Sequence, residues 1–380
     1  MLPLPTLLSQ VLVAFTIEAD NEFEHRMPHR STLGQGSGRQ HGPWLTSLPM
    51  WANFLRLIPP DGVPLAAVAG HAAITNLAGL ERWGYVQLSP AASGRAARQD
   101  QLVQLTRGGK LACRTWEPIP ALIEERWQDR FGAAAAGELR AALEPLEQAA
   151  GAGLPRYLPV VRHAMFARLA DAAGDAGAAG DAGAARAAGA AGDAGGGASD
   201  LSVLLARVLL ALTLDYERDT RLSLTMTAGV LRVITAGGVR LRDVPGLAGV
   251  SKEAVAMVTG FAARHDLLTT GPGPERLTRL TPRGERAVAG YRRRVAAVEE
   301  QWAGRLGAAA TGRLRDALLA VLTATAGDAP LLAAGLRPYP DGWRAQRPYL
   351  ARTTALLAGP AAGLPHHPVV LHRGGYPDGS

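Results

Sequence analysis

The sequence predicts a mainly helical protein made of two like halves joined by a low-complexity tether. Three observations carry this. The stretch LIEERWQDRFGAAAAGELRAAL, Leu122 to Leu143, is written again as AVEEQWAGRLGAAATGRLRDAL, Ala297 to Leu318, with 13 of 22 positions identical and no gap. Alanine matches mean little in so Ala-rich a chain, but Glu124/Glu299, Glu125/Glu300, Trp127/Trp302, Arg130/Arg305 and Arg140/Arg315 also coincide. Apolar residues around each copy recur at helical spacing, and self-similarity at one separation marks a duplicated supersecondary unit. Between the copies, residues 171–200 are almost wholly Ala, Gly and Asp.

Length and composition set the outer bounds. A chain of 380 residues can bury two cores, and it has no uncharged apolar run of the roughly eighteen residues that a membrane span needs. Leu2 to Ile17 is apolar like a signal peptide but lacks a basic leader, and its close copy at Leu204 to Leu214 lies deep inside the chain. It reads as a packing helix. The single cysteine, Cys113, excludes a disulfide framework and a cysteine zinc site, and is consistent with a cytoplasmic protein. Lys110 and Lys252 are the only lysines, so arginine abundance here reflects composition before function. The formal charge of +7 becomes more telling once located: residues 171–200 carry five aspartates and Arg186, which leaves about +11 on the remainder. A basic body favours a polyanionic partner.

In chain order, Leu8, Val11, Leu12 and Phe15 have the spacing of a buried helix face, and Leu205, Val208, Leu209 and Leu212 repeat it 197 residues later. Each run closes with acid: Glu18, Asp20 and Glu22, then Asp215, Glu217 and Asp219. From Ser47/Ser223 to Leu65/Leu241 the separation falls to 176, so the first copy holds about 21 extra residues near Arg26 to Thr46. SLPMWANFLRLI and SLTMTAGVLRVI then align as a second helix, each followed by a Gly turn and by Val63-Pro64-Leu65 or Val239-Arg240-Leu241. In the second copy Leu241, Val244 and Leu247 predict a short helix and Gly249-Val250 a turn. A longer helix is N-capped by Ser251 and buries Val255, Val258, Phe261 and Ala262. LLTT and LTRLT flank GPGPER as a two-stranded ribbon.

The closing helices come next. Val288, Tyr291, Val295, Val298 and Trp302 step 3, 4, 3, 4 and put one apolar seam on a long helix. The first copy answers with Cys113, Trp116, Pro120, Ile123 and Trp127, but Pro118 and Pro120 predict a kink or break near Glu117. Each copy ends in a Pro-rich extended arm, Leu154 to His163 and Leu364 to His372. The tail adds Tyr339 to Gly342 and Tyr376 to Gly379 as turns.

Two helices, a helix-turn-helix, a ribbon and a long helix pair resemble a winged-helix regulator of the MarR type. The resemblance covers Leu201 to Leu322 well and Leu4 to Leu143 with faults. It implies two tandem winged helix-turn-helix repeats with small β-wings, packed by their end helices as a dimer made covalent: a monomer that acts as an internal pseudo-dimer. The domains are then residues 1–170 (insertion about 26–46, arm 154–170), a disordered linker at 171–200, the second repeat at 201–325, and an irregular tail at 326–380 lying against the body. A linker of that composition spans roughly 30 Å, at about 5–6 Å times the root of its length.

The resemblance implies double-stranded DNA as the partner. In the second copy Ser251, Lys252 and Thr259 on the helix and Arg276 and Arg279 on the ribbon are the candidate contacts; in the first they are Thr75 and Asn76, with Arg95 and Arg98 on a longer wing. A solvated surface is the alternative reading of all of them. Glu253 opposes phosphate beside Lys252, and Leu65 to Tyr85 is 20 residues against 26 from Leu241 to Leu267, so the first head lacks nearly two helical turns.

The insertion places His25, Arg26, His29, Arg30 and Trp44 where the resembled regulators bind effectors, donors and a ring that suit a small anionic or aromatic ligand. The alternative is a surface loop, with Gly34, Gly36 and Gly38 for flexibility. No metal site and no cofactor is expected, and no metalloprotease pair, nucleophile elbow, phosphate loop or cysteine–base pair points to an enzyme. The favoured function is a cytoplasmic DNA-binding transcriptional regulator responsive to a small molecule. The alternative is a winged-helix scaffold that has lost DNA reading and acts as a ligand-binding or protein-interaction module, or as an enzyme of a specialised pathway.

Overall fold

The computed structural model describes residues 2–28, 45–73, 77–89, 101–151, 153–158, 199–220, 222–250, 252–273, 275–326 and 329–330. These residues form a mainly helical protein with small antiparallel sheets. The first arm from residue 159, the linker up to residue 198, the insertion at 29–44, the second arm and the tail from 331 onward lie outside the described residues.

The N-terminal half runs α1 (Leu4–Arg26), α2 (Leu48–Asn53), β1 (Val63–Pro64), α3 (Leu65–Ala73), α4 (Leu77–Arg82), β2 (Val86–Leu88), β3 (Leu102–Leu105), α5 (Arg107–Trp116), α6 (Ile119–Phe131) and α7 (Ala133–Leu146). The C-terminal half runs α8 (Leu201–Glu217), α9 (Leu224–Gly229), β4 (Val239–Arg240), α10 (Val244–Ala248), α11 (Lys252–Arg264), β5 (Leu268–Thr270), β6 (Leu277–Leu280), α12 (Pro282–Leu306) and α13 (Ala308–Thr323). A two-residue ladder, β7 (Thr325–Ala326) with β8 (Ala329–Pro330), follows. The two larger sheets have the orders β1-β3-β2 and β4-β6-β5 with matching registers, Val63 opposite Val103 and Val239 opposite Thr278.

The junction from hairpin to long helix shows why the repeated residues recur. Thr106 and Thr281 cap α5 and α12 by accepting from the amides of Gly109 and Gly284, at 3.0 and 3.1 Å. A Cβ on Gly109 would stand 2.1 Å from the Tyr85 carbonyl oxygen, and one on Gly284 1.9 Å from that of Leu267. The backbone of the hairpin's first strand therefore lies against the helix's first turn, and only glycine admits it.

The α5–α6 boundary falls at Glu117-Pro118, whereas α12 continues unbroken for 25 residues. Proline removes an amide donor and crowds the preceding turn, which accounts for the difference. Seam residues Val288, Tyr291, Val295, Val298 and Trp302 are all buried, as are Trp116, Ile123 and Trp127; Cys113 is half-buried. Each buried tryptophan removes roughly 200 Å² from water, worth about 5 kcal/mol at ~25 cal/mol per Å².

Two sequence expectations are corrected. The spacing predicted one buried face on the first helix of each half, but α1 and α8 are buried on nearly every side, charged residues included. They pack on each other, and α1 also meets α6 and α13 while α8 meets α7 and α12. Leu247 was expected inside; it is 56% exposed. A 3₁₀ turn over Leu241–Asp243 leads into α10, whose inward residues are then Val244 and Ala248 at i and i+4.

Acidic side chains make matched sets of bonds within each half and across the two halves. Within each half, a tryptophan and an arginine grip an acid on the first helix: Trp127 and Arg130 donate to Glu18, and Trp302 and Arg305 to Asp215 at 2.8 and 3.3 Å. The next acid caps the second helix, Asp20 accepting from the Leu48 amide at 2.9 Å and Glu217 from Leu224 at 3.1 Å. Across the halves, Glu124 accepts from the Leu201 amide and Glu299 from the Leu4 amide, and each glutamate is held in turn by Arg140 or Arg315. Arg140 also donates to Ser199 O and Arg315 to Leu2 O, both at 2.8 Å.

The first arm begins by packing on α2: Asn53 donates to the carbonyls of Tyr157 and Leu158 and accepts from the Tyr157 amide.

Candidate nucleic-acid interface

The C-terminal head is built on α10, a turn and α11. Gly249 sits at φ +72°, a left-handed position glycine takes without strain, and its amide closes α10 by donating to Pro245 O at 2.9 Å. Ala254, Val255, Val258, Phe261 and Ala262 turn inward over Val230, Leu231, Ile234 and Val244, giving this head its own apolar core. Lys252, Ala256, Ala263 and Arg264 are exposed. The outer face of α11 thus has a cation at its first turn and small side chains along most of its length.

Thr259 is corrected. It is buried, and its hydroxyl donates to Val255 O at 2.7 Å within its own helix, so it faces the core and reads nothing outside. Ser251 lies outside the described residues.

On the hairpin, Arg276 and Arg279 are both exposed. Arg276 adopts φ +40°, uncommon for a residue with a Cβ, and its carbonyl accepts from the Leu241 amide at 3.1 Å, tying the hairpin to the end of β4. Thr270 and Thr278 bridge the two strands hydroxyl to hydroxyl at 3.1 Å. Two further arginines flank them. Arg240 pairs with Asp243 at 2.7 Å, and Arg240 and Arg242 each approach Glu275 at 3.8 Å. Sequence reasoning passed over this pair, although VRLRD against VPLAA at the aligned start of the two heads was the signal.

In the N-terminal head α4 has 6 residues where α11 has 13. Thr75, Asn76, Arg95 and Arg98 lie outside the described residues, as do His29, Arg30 and Trp44 of the insertion. Of the expected effector donors, His25 is half-buried and Arg26 is exposed at the end of α1. Arg26 is engaged by Glu22, which Arg126 also holds at 2.7 Å, so its guanidinium is tied to its own helix while the trio keeps a net positive charge.

Beside the described residues that flank the insertion lies an aromatic stack, of which the sequence pattern placed only Trp116, as a seam residue. Phe23 lies 4.4 Å from Trp116 at an interplanar angle of 8°, with Trp51 at 6.0 Å, and Trp116 donates to Thr46 at 3.2 Å. Burial pushes the Asp20 carboxyl well above its ordinary range, with the nearby Glu24 charge adding to it. Burial also raises Glu18 despite Arg130 and Trp127, and pushes the Cys113 thiol up to about 12. That thiol is no nucleophile at neutral pH.

Among the described residues no group of three or more His, Cys, Asp or Glu is placed to hold a metal ion, and no helix is long and apolar enough to cross a membrane. No protein-family model matches the chain, and neither does any curated protein or solved structure.

Proposed function

We propose that the chain is two tandem winged-helix repeats closed as an internal pseudo-dimer, and that it binds double-stranded DNA as a transcriptional regulator. The observation that carries this is the C-terminal head. A short helix, a left-handed glycine turn and a 13-residue helix with Lys252 at its outer start stand beside a hairpin that exposes Arg276 and Arg279. A helix of that kind enters a major groove, while hairpin arginines reach phosphates or the neighbouring minor groove. The formal charge of +7 favours the encounter. The small outer face of α11 offers van der Waals contact to thymine methyls more than hydrogen bonds to base edges.

Duplex affinity against salt, for the purified protein and for Lys252→Ala with Arg276→Ala, tests the reading. The expected result is sub-micromolar binding to a selected duplex, with the log–log salt slope reduced by about one per phosphate contact removed. Micromolar or weaker binding with no selected motif ends it.

One observation favours a second reading, a scaffold that holds a small anionic or aromatic ligand or a protein partner: the shortened α4, in the same half as the buried Phe23–Trp116 stack. Native mass spectrometry that finds neither retained ligand nor partner, together with tight operator binding, removes it.

A further inference from the structure

We infer that the two heads are unequal, and that the protein recognises a single asymmetric half-site through its C-terminal head instead of an inverted repeat through both. This rests on the duplex-binding reading above.

The comparison is internal to the molecule, and strand pairing sets its register. Pro64 lies opposite Leu102 in one sheet as Arg240 lies opposite Leu277 in the other. Stepping along that register, the exposed arginines Arg240, Arg242, Arg276 and Arg279 correspond to Pro64, Ala66, Gln101 and Gln104. Every one is replaced by a neutral residue. The two glutamines also make bonds within their own hairpin and its surroundings: Gln101 donates to Ser89 O at 2.8 Å, and Gln104 accepts from Gln87 at 3.3 Å.

The helix that would enter the groove differs as well. At about 1.5 Å per residue α4 spans about 9 Å against about 20 Å for α11. Its exposed positions are Ala78, Glu81 and Arg82, so an acid faces outward beside the one cation. Phosphate contacts dominate duplex affinity, and each adds about 0.9 to the salt slope. Arg240 and Arg242 are offset by Asp243 and Glu275, so the difference in phosphate attraction rests on Arg276 and Arg279, which the first head replaces with glutamine. The N-terminal half keeps its cross-half contacts through Glu124 and Arg140, so it still orients the C-terminal head.

The test uses the full chain. Bound duplexes are selected from a randomised library and footprinted, and salt titrations are run on two variants. One is Arg276→Gln with Arg279→Gln, which writes the first head's residues into the second. The other is Gln101→Ala with Gln104→Ala, Arg95→Ala and Arg98→Ala, which also removes both positive charges of residues 90–100. Circular dichroism confirms that both fold. The expected result is a non-palindromic motif with a footprint of about one helical turn, at least a tenfold loss of affinity and a salt slope lowered by about two for the first variant, and less than a twofold change for the second. An inverted repeat with half-sites roughly 34 Å apart, or a comparable loss in the second variant, overturns the inference and leaves duplex binding standing. No duplex binding by the unaltered chain overturns both.

Discussion

Glu299 accepts a hydrogen bond from the amide of Leu4 at 2.6 Å, although 295 residues separate them. Its counterpart Glu124 on α6 does the same for Leu201, so a closing helix of each half caps the first helix of the other. The first turn of a helix carries unpaired amides and the positive end of its dipole, and a carboxylate answers both. Because donor and acceptor come from different halves, this contact exists only when both halves are folded and docked.

The first prediction follows from that geometry. Glu299→Ala should cost about 1–2 kcal/mol in urea denaturation, the scale of a lost cap with a charge component. Arg315→Ala should cost a similar amount, since Arg315 bonds both Glu299 and Leu2 O. The double variant should lose clearly less than the sum, because the two side chains form one unit. Full additivity would show that they act separately.

Gly284→Ala should destabilise the protein by about 1–3 kcal/mol, the usual scale of overpacking, because its Cβ would meet the Leu267 carbonyl at 1.9 Å. Gly290→Ala, on the same helix with nothing within 4 Å of its Cβ position, should instead stabilise by up to about 1 kcal/mol. Thermal or urea melts of the two variants should therefore move in opposite directions. Movement in the same direction would contradict the close approach.

Asp20 sets a pH dependence. Its folded carboxyl is held well above the ordinary carboxylate range by burial, so on raising the pH the unfolded chain ionises first. Below about pH 4 both states are protonated and the group contributes nothing; above it the folded state is progressively penalised. Asp20→Asn keeps an acceptor for the Leu48 amide and removes the charge. Its stability relative to the unaltered protein should rise from about pH 4 upward and reach about 1–3 kcal/mol near neutrality. A difference that is flat with pH would refute the assignment.

Cys113 donates to Leu55 O at 3.5 Å and its thiol is pushed up to about 12. In the native protein it should react with a thiolate-selective disulfide reagent at least tenfold more slowly than in urea at the same pH. Equal rates would place the thiol in an open environment.

Much of this was legible in one dimension. The 175-residue recurrence of Trp127/Trp302 and Arg140/Arg315, the seam from Val288 to Trp302 and the break at Pro118 are properties of spacing, and spacing survives in the sequence. The acids that close the first helix were visible too, but their partners were not. Thr259 looked available to a duplex and Leu247 looked like core; each turned the other way, because a side chain's exposure depends on what packs on that side of its helix.

What the sequence determined by itself was therefore a duplication and the apolar face of each helix, since identity at a fixed separation and a 3.6-residue period need no third dimension. Only the tertiary structure decided that Glu124 and Glu299 serve the opposite half and that α1 and α8 are enclosed on nearly every side. The physical reason is that a carboxylate withdrawn from water is stable only where its partners meet it, and those partners lie on other elements, from 28 residues away for Asp20 to 295 for Glu299.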